Sequence, residues 1–206
     1  MLKNRLERKK EETKKKIITV AMDLFKKQGF DSTTMDQIAE EADIAKGTIY
    51  LHFPVKEAII SEYVRAYLNE GATRIIGAMF ELPDTRSRLI YFYAKSREFG
   101  EKHLTIDLNK RYMLYQLQII GEAVRDWSLR SGLSGILAQI FELGQQKGEI
   151  RNDIPAQVLA EQLQSSNFLT FLVWMTDPDQ FPLAERVELN IDLFLQGTAL
   201  ECTSKK

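Results

Sequence analysis

The stretch Thr33-Thr34-Met35-Asp36-Gln37-Ile38-Ala39, then Asp43-Ile44-Ala45, then Lys46-Gly47-Thr48-Ile49-Tyr50-Leu51-His52-Phe53, decides how this chain is read. Thr34 and Gln37 have capping-box spacing, a threonine at a helix start with a glutamine three residues on. Ile38, Ala39 and Ala42 follow on one helical face. Asp43-Ile44-Ala45 is too short for anything but a turn. Beyond it Ile49 and Phe53 lie four apart on a second short helix, and Pro54 ends that run because it lacks an N–H and its ring clashes with the preceding turn. Small Ala39 and Ala42 let two backbones approach closely, and Ile44 supplies an apolar plug between them, so the pattern predicts a helix-turn-helix.

Working outward, Ile17, Ile18, Ala21, Leu24 and Phe25 recur at helical spacing and stop at Gly29, a residue suited to ending a helix. Before them, Met1 to Lys16 holds eight basic residues against Glu7, Glu11 and Glu12, a net charge of +5. Such an arm can track phosphates. It also fits a solvated helix face, because Glu11 with Lys15 and Glu12 with Lys16 have the favourable acid-before-base spacing. Residues 1–56 carry 12 basic and 9 acidic side chains, a net +3, whereas residues 57–206 sum to −4, so an overall charge of −1 hides a basic N-terminal end.

Residues Thr33 to Ala39, Ala45 to Phe53 and Lys56-Glu57 together resemble the TetR family of transcriptional regulators, over about residues 16 to 60. The resemblance implies that the second short helix enters the major groove. Thr34, Tyr50, His52 and Lys56 would then touch phosphates, with Thr33 beside them. Lys46, Thr48 and Leu51 would lie near base edges, and Gly47 would permit close approach. Physical chemistry supports the assignment independently. A helix N-terminus presents free N–H groups and a positive dipole to phosphate, while the hydroxyls and lysines add donors and charge. Three residues depart from the family pattern: Asp43 stands where the turn usually has glycine, Ala45 where a hydroxyl residue caps the recognition helix, and Val55 before Lys56, where it cannot cap.

The rest of the chain reads as helices throughout: Glu57 to Phe80, Thr85 to about Gly100, about Ile106 to Gln118, Gly121 to Lys147, Ala156 to Met175, and Leu183 to about Leu200. The fold expected is all-α with about nine helices, a reading head over residues 1–56 and a helical ligand-sensing and dimerisation domain over 57–206. The last two helices carry apolar groups on more than one face, more than a monomer needs. Leu159, Leu163, Ser166, Val187, Ile191, Phe194 and Leu195 are the candidate interface of a homodimer, meeting in the four-helix bundle that the family arrangement implies. The aromatic-rich middle points to a pocket for a small, partly apolar effector. Its candidate lining is Phe92, His103, Tyr112, Tyr115, Gln116, Trp127, Asn167, Phe171 and Trp174.

Other classes find little material. An enzyme needs a nucleophile beside a base or a metal cluster, and the chain has two histidines, one cysteine (Cys202) and no glycine-rich phosphate loop. No cofactor, metal or catalytic residue is therefore expected. A lone cysteine, no leader-like apolar start and no apolar run near the ~20 residues of a membrane helix point to a cytoplasmic protein with no membrane partner. The expected function is a DNA-binding repressor released from a palindromic double-stranded operator by its effector. The alternative is a helical adaptor that has lost specific DNA binding, for which the weakened caps at Ala45 and Val55 speak.

Overall fold

The computed structural model describes residues 2–125 and 133–198, so Trp127 lies outside the described residues. Among the described residues there are ten helices and no strand: α1 (Leu2–Gln28), α2 (Met35–Glu41), α3 (Lys46–His52), α4 (Lys56–Phe80), α5 (Thr85–His103), α6 (Ile106–Gln118), α7 (Ile120–Arg125), α8 (Leu133–Gln146), α9 (Ala156–Trp174) and α10 (Leu183–Thr198). No helix among them is long and apolar enough to cross a membrane.

Local chemistry sets most of the boundaries. Asp84 and Thr105 cap α5 and α6 by accepting from the Ser87 and Leu108 amides at 2.7 and 3.2 Å. Gly29, at φ +88°, ends α1 in the left-handed conformation that favours glycine. α1 itself begins at Leu2, well before its apolar repeat at Ile17. Residues 5–12 of the charged N-terminal part are exposed and carry no apolar stripe, and Lys14 beyond them pairs with Glu62 of α4 at 2.7 Å. This part is helical through the propensity of lysine, arginine and glutamate and through pairs such as Arg8 with Glu12 at 3.4 Å.

Two apolar clusters form the core. One joins Ile17, Phe25, Ile38, Ile49 and Phe53 of α1 to α3 with Ile59, Ile60 and Val64 of α4, and continues into Phe99, Leu108 and Met113. The other packs Leu89 and Phe92 of α5 against Leu137 and Phe141 of α8, Leu159 and Leu163 of α9, and Val187 and Ile191 of α10. The first half of α4 thus belongs to the packing of the N-terminal helices, and α6 reaches the same cluster from the C-terminal side.

That second cluster takes in most of the residues expected at a dimer interface. Leu159, Leu163, Val187 and Ile191 are buried within their own protomer. Phe194 and Leu195 are partly buried against the same core, and Ser166 alone of the seven is exposed. The outward side of these helices carries Val158, Leu169 and Val173 on α9 and Leu189 and Leu193 on α10. Both sides of each helix are apolar, so periodicity could not tell inside from outside.

Candidate DNA-reading head and ligand cavity

α2 and α3 are set by contacts a few residues long. The Thr34 hydroxyl accepts from the Gln37 amide at 3.1 Å, which realises half of the capping box. The Gln37 side chain turns instead to Gln28, whose Nε2 donates to it at 2.9 Å and ties the end of α1 to α2. Asp43 adopts φ +46°, the left-handed turn that aspartate tolerates, and the turn is closed by the Ile44 amide donating to the Ala39 carbonyl at 3.0 Å. Ala45 and Val55 occupy N-cap positions without a side-chain cap bond, as their residue types dictate. The first amides of α3 therefore have no side-chain acceptor from the cap residue.

The face of α3 directed away from the core presents Lys46, Gly47, Tyr50 and Leu51, the last 86% exposed despite being apolar. A Cβ placed on Gly47 would meet nothing within 4 Å, so this part of the helix opens onto free space. Thr48 and His52 are half-buried at its edges. Lys46 Nζ lies 2.5 Å from Asp36, an exposed pair of the kind that contributes little and yields readily to another anion. Burial, and then the charges of Lys10 and Lys14, hold the His52 imidazole below its ordinary range.

Two of the residues assigned to DNA contact are tied inward. Thr33 is fully buried, its hydroxyl donating to the Gly29 carbonyl at 2.8 Å. The Lys56 ammonium donates to the carbonyls of Phe30 and Thr33 at 2.7 and 2.6 Å and sits 4.3 Å from the centre of the Phe30 ring, closing the loop between α1 and α2. Lys56→Met should therefore lower folding stability by about 1.5–3 kcal/mol, the worth of charge-assisted hydrogen bonds, as measured by urea unfolding. An unchanged midpoint would show that the ammonium is not needed by the loop.

The Phe30 loop is also the junction with the remainder of the chain. Arg111 of α6 reaches Asp31 at 2.6 Å and Asp107 at 2.9 Å, and its guanidinium stacks 4.4 Å from the Phe30 ring centre. No short-range pattern could have shown this contact, because its partners lie 80 residues apart.

Between α4, α5, α6, α8 and α9 lies a mainly apolar cavity of about 180 Å³. Of the residues expected to line it, Phe92, Tyr112, Gln116, Asn167, Phe171 and Trp174 do. His103 does not: it stacks behind the wall, 5.0 Å from the Phe99 ring, with its Nδ1 3.4 Å from the Tyr63 hydroxyl. Its imidazole is lowered by burial and then by Lys102 and Lys26. Tyr115 is half-buried outside the lining, with its phenol raised by burial. Sequence reading passed over Tyr67 and the polar lining residue Arg97, and Phe99, stacked 3.9 Å from Tyr67 between ring centres, was visible only as one aromatic of the middle region. Tyr93 was visible only as one of many aromatics. Among the described residues no group of three or more histidine, cysteine, aspartate or glutamate side chains gathers as a metal site.

Comparison with known proteins places these features. Residues 17–63 match the family model described as bacterial regulatory proteins, tetR family. The chain is 40% identical over 65 residues to the HTH-type transcriptional regulator YuxN of Bacillus subtilis, a match covering 32% of this chain and 22% of that relative's length. Over 186 residues it is 24% identical to the fatty acid metabolism regulator protein of Bacillus subtilis, covering 88% of this chain and 93% of the relative. Among solved structures it is similar to Thermus thermophilus FadR, a TetR-family transcriptional repressor in complex with lauroyl-CoA. That structure shares 26% identity, covers 89% of this chain and 94% of its own, and has a TM-score of 0.75.

Proposed function

We propose, on the premise of the match of residues 17–63 to the tetR family of bacterial regulatory proteins, that the chain is a cytoplasmic, homodimeric repressor that leaves a palindromic operator when a long-chain acyl ligand occupies the cavity. One observation carries the reading: a single helix, α6, lines the cavity with Tyr112 and Met113 and, at the adjoining Arg111, holds the Phe30–Asp31 loop of the reading head. A ligand that displaces α6 therefore pulls on the segment from which α2 starts. The resemblance to a repressor bound to lauroyl-CoA supports the acyl class. The division into a head over residues 1–56 and a sensor over 57–206 is part of the same proposal, with the first half of α4 packing on the head.

In this reading the exposed face of α3 lies in the major groove. Lys46, Thr48 and Leu51 face base edges, Gly47 allows the backbone to approach, and Tyr50, His52 and the Thr34 turn face phosphates. Thr33 and Lys56 contribute by shaping the loop rather than by reaching DNA. The exposed base of α1 adds charge along the backbone. No step needs catalytic chemistry, and the protein acts by binding alone.

The test is fluorescence anisotropy against labelled DNA from upstream of the coding sequence, beside an unrelated duplex, with and without dodecanoyl-CoA. Specific binding that survives moderate salt and is released by the thioester is expected. Equal binding to both duplexes would overturn the repressor. Arg111→Ala should leave the ligand-free affinity close to that of the wild type while abolishing release, which in the wild type should be about 5–150-fold. Release that persists in this variant would place the coupling elsewhere.

His52 makes the binding pH-dependent. A phosphate set against the ring favours the imidazolium, so the ring's pKa is higher in the complex than in free protein, where burial and the lysines depress it. The complex then takes up protons, and operator affinity should rise as pH falls from about 8 to about 6. His52→Gln should flatten that dependence in the same anisotropy assay. A slope unchanged by the substitution would remove His52 from the phosphate contacts.

A further inference from the structure

The cavity is mainly apolar, and two of its polar lining groups stand out because they are deeply buried. Among the described residues the Tyr93 hydroxyl and the Asn167 Nδ2 have no partner beyond each other, although Tyr93 is only 7% exposed and Asn167 1% exposed, and both residues line the cavity. They adjoin each other: a weak hydrogen bond from the Asn167 amide to the Tyr93 oxygen partly offsets the upward push that burial gives the phenol, and it leaves the hydroxyl proton and the second amide hydrogen without an acceptor. A third buried donor, Arg97 Nε, lies on the same wall with only a distant carboxylate partner, Glu101, at 3.6 Å.

The amide is oriented for this role. Asn190 of α10 donates from Nδ2 to Asn167 Oδ1 at 3.2 Å and to Thr170 Oγ1 at 2.8 Å. The Asn167 oxygen is thereby occupied, and its NH₂ group is the part left over. Buried polar groups are almost always satisfied, so donors left unpaired beside a cavity mark a place where a ligand acceptor belongs. Donors outnumber acceptors here, which favours a group that only accepts, such as a carbonyl or carboxylate oxygen, over one that brings a donor of its own.

We infer that Tyr93 and Asn167 form a two-donor subsite for the carbonyl oxygen of an acyl ligand, oriented by Asn190 and flanked by Arg97. The inference rests on the acyl reading of the cavity and adds where the head of the acyl group lies. It also gives the ligand a direct line to α10, because the amide that grips the carbonyl is held by Asn190. The same oxygen can come from a thioester or from a free carboxylate.

The experiment is isothermal titration of the full-length protein with dodecanoyl-CoA, with S-dodecyl-CoA, a thioether identical except for the missing carbonyl, and with dodecanoate. The wild type should prefer the thioester to the thioether by about tenfold, the worth of one or two neutral hydrogen bonds. Tyr93→Phe and Asn167→Leu should each shrink that ratio toward one while leaving thioether affinity unchanged. Tyr93→Phe removes an oxygen whose sole polar partner among the described residues is the Asn167 amide, so it keeps the test alive if Asn167→Leu does not fold, and retained operator binding certifies either variant. A ratio near one in the wild type, or a ratio that survives Tyr93→Phe, overturns the subsite while leaving the acyl pocket standing. Failure of all three probes to bind the wild type overturns the acyl reading and the subsite with it. Dodecanoate binding that is tighter than that of the thioester and weakened by Tyr93→Phe supports the subsite with the carboxylate as its source. The reverse order supports it with the thioester.

Discussion

Leu169→Glu combined with Leu193→Glu is expected to yield a folded monomer that binds operator DNA about 10²–10⁴-fold more weakly than the wild type, the range by which linking two binding modules exceeds either alone. Leu169 is 63% exposed on α9 and Leu193 58% exposed on α10. With Val158, Val173 and Leu189 they form an outward apolar face on the two helices whose opposite sides are already buried against α5 and α8. Apolar groups clustered in this way mark an interface. In the proposed homodimer this face seats the second copy, since paired half-sites would require two reading heads about one helical turn of DNA, or a multiple of it, apart. A carboxylate at each centre would be desolvated against its symmetry mate, which association cannot tolerate. Because both side chains are exposed in the protomer, helicity should be unchanged by circular dichroism. Light scattering after gel filtration reads the mass, and anisotropy reads the affinity. A variant that stays dimeric would move the interface elsewhere. A monomer with wild-type affinity would show that one head suffices.

Gly144→Ala should destabilise the fold by about 2–4 kcal/mol, combining the penalty of overpacking a filled core with a disturbed hydrogen bond. A Cβ at Gly144 would lie 2.4 Å from the Thr85 Oγ1 and 2.9 Å from the Ile150 Cγ1. Neither atom can easily yield. The Thr85 hydroxyl donates to Glu149 at 2.6 Å, and its amide donates to the same carboxylate at 2.7 Å. That carboxylate is in turn 3.2 Å from Arg88, whose side chain is fully buried and also donates to the Leu82 carbonyl at 2.8 Å. The cluster ties the start of α5 to the turn between α8 and α9, so an added methyl strains three segments at once. Gly135→Ala on the same helix is the control. Its Cβ would meet nothing within 4 Å, and the lower chain entropy of alanine should stabilise the protein by about 0.5–1 kcal/mol. Thermal unfolding of the pair should show midpoints moving in opposite directions. A neutral Gly144→Ala would mean that the cluster can open without loss.

The predicted all-α architecture is the one observed, and the helix-turn-helix was legible because the contacts that set its caps and turn are short. The Thr34 cap spans three residues, the turn at Asp43 needs only its own backbone, and Ile38, Ala39 and Ile49 mark the buried side through their spacing. The missing caps at Ala45 and Val55 were visible for the same reason. The cavity was half legible. Aromatic composition pointed to Phe92, Tyr112, Phe171 and Trp174, but it could not separate Tyr93 from its neighbours or place His103 behind the wall.

What the sequence by itself determined is whatever local hydrogen bonding and one clear apolar stripe can specify: the helices, the turn, and the residues that α3 turns outward. Only the tertiary structure decided which sides of α9 and α10 face solvent, that Lys56 closes a loop, that Arg111 joins α6 to the Phe30 loop, and that Tyr93 and Asn167 adjoin each other on one wall. The physical reason is the same in each case. A helix that is apolar on two sides, or a polar group whose partner is tens of residues away, has several equivalent solutions along the chain, and only the packing of the other helices selects among them.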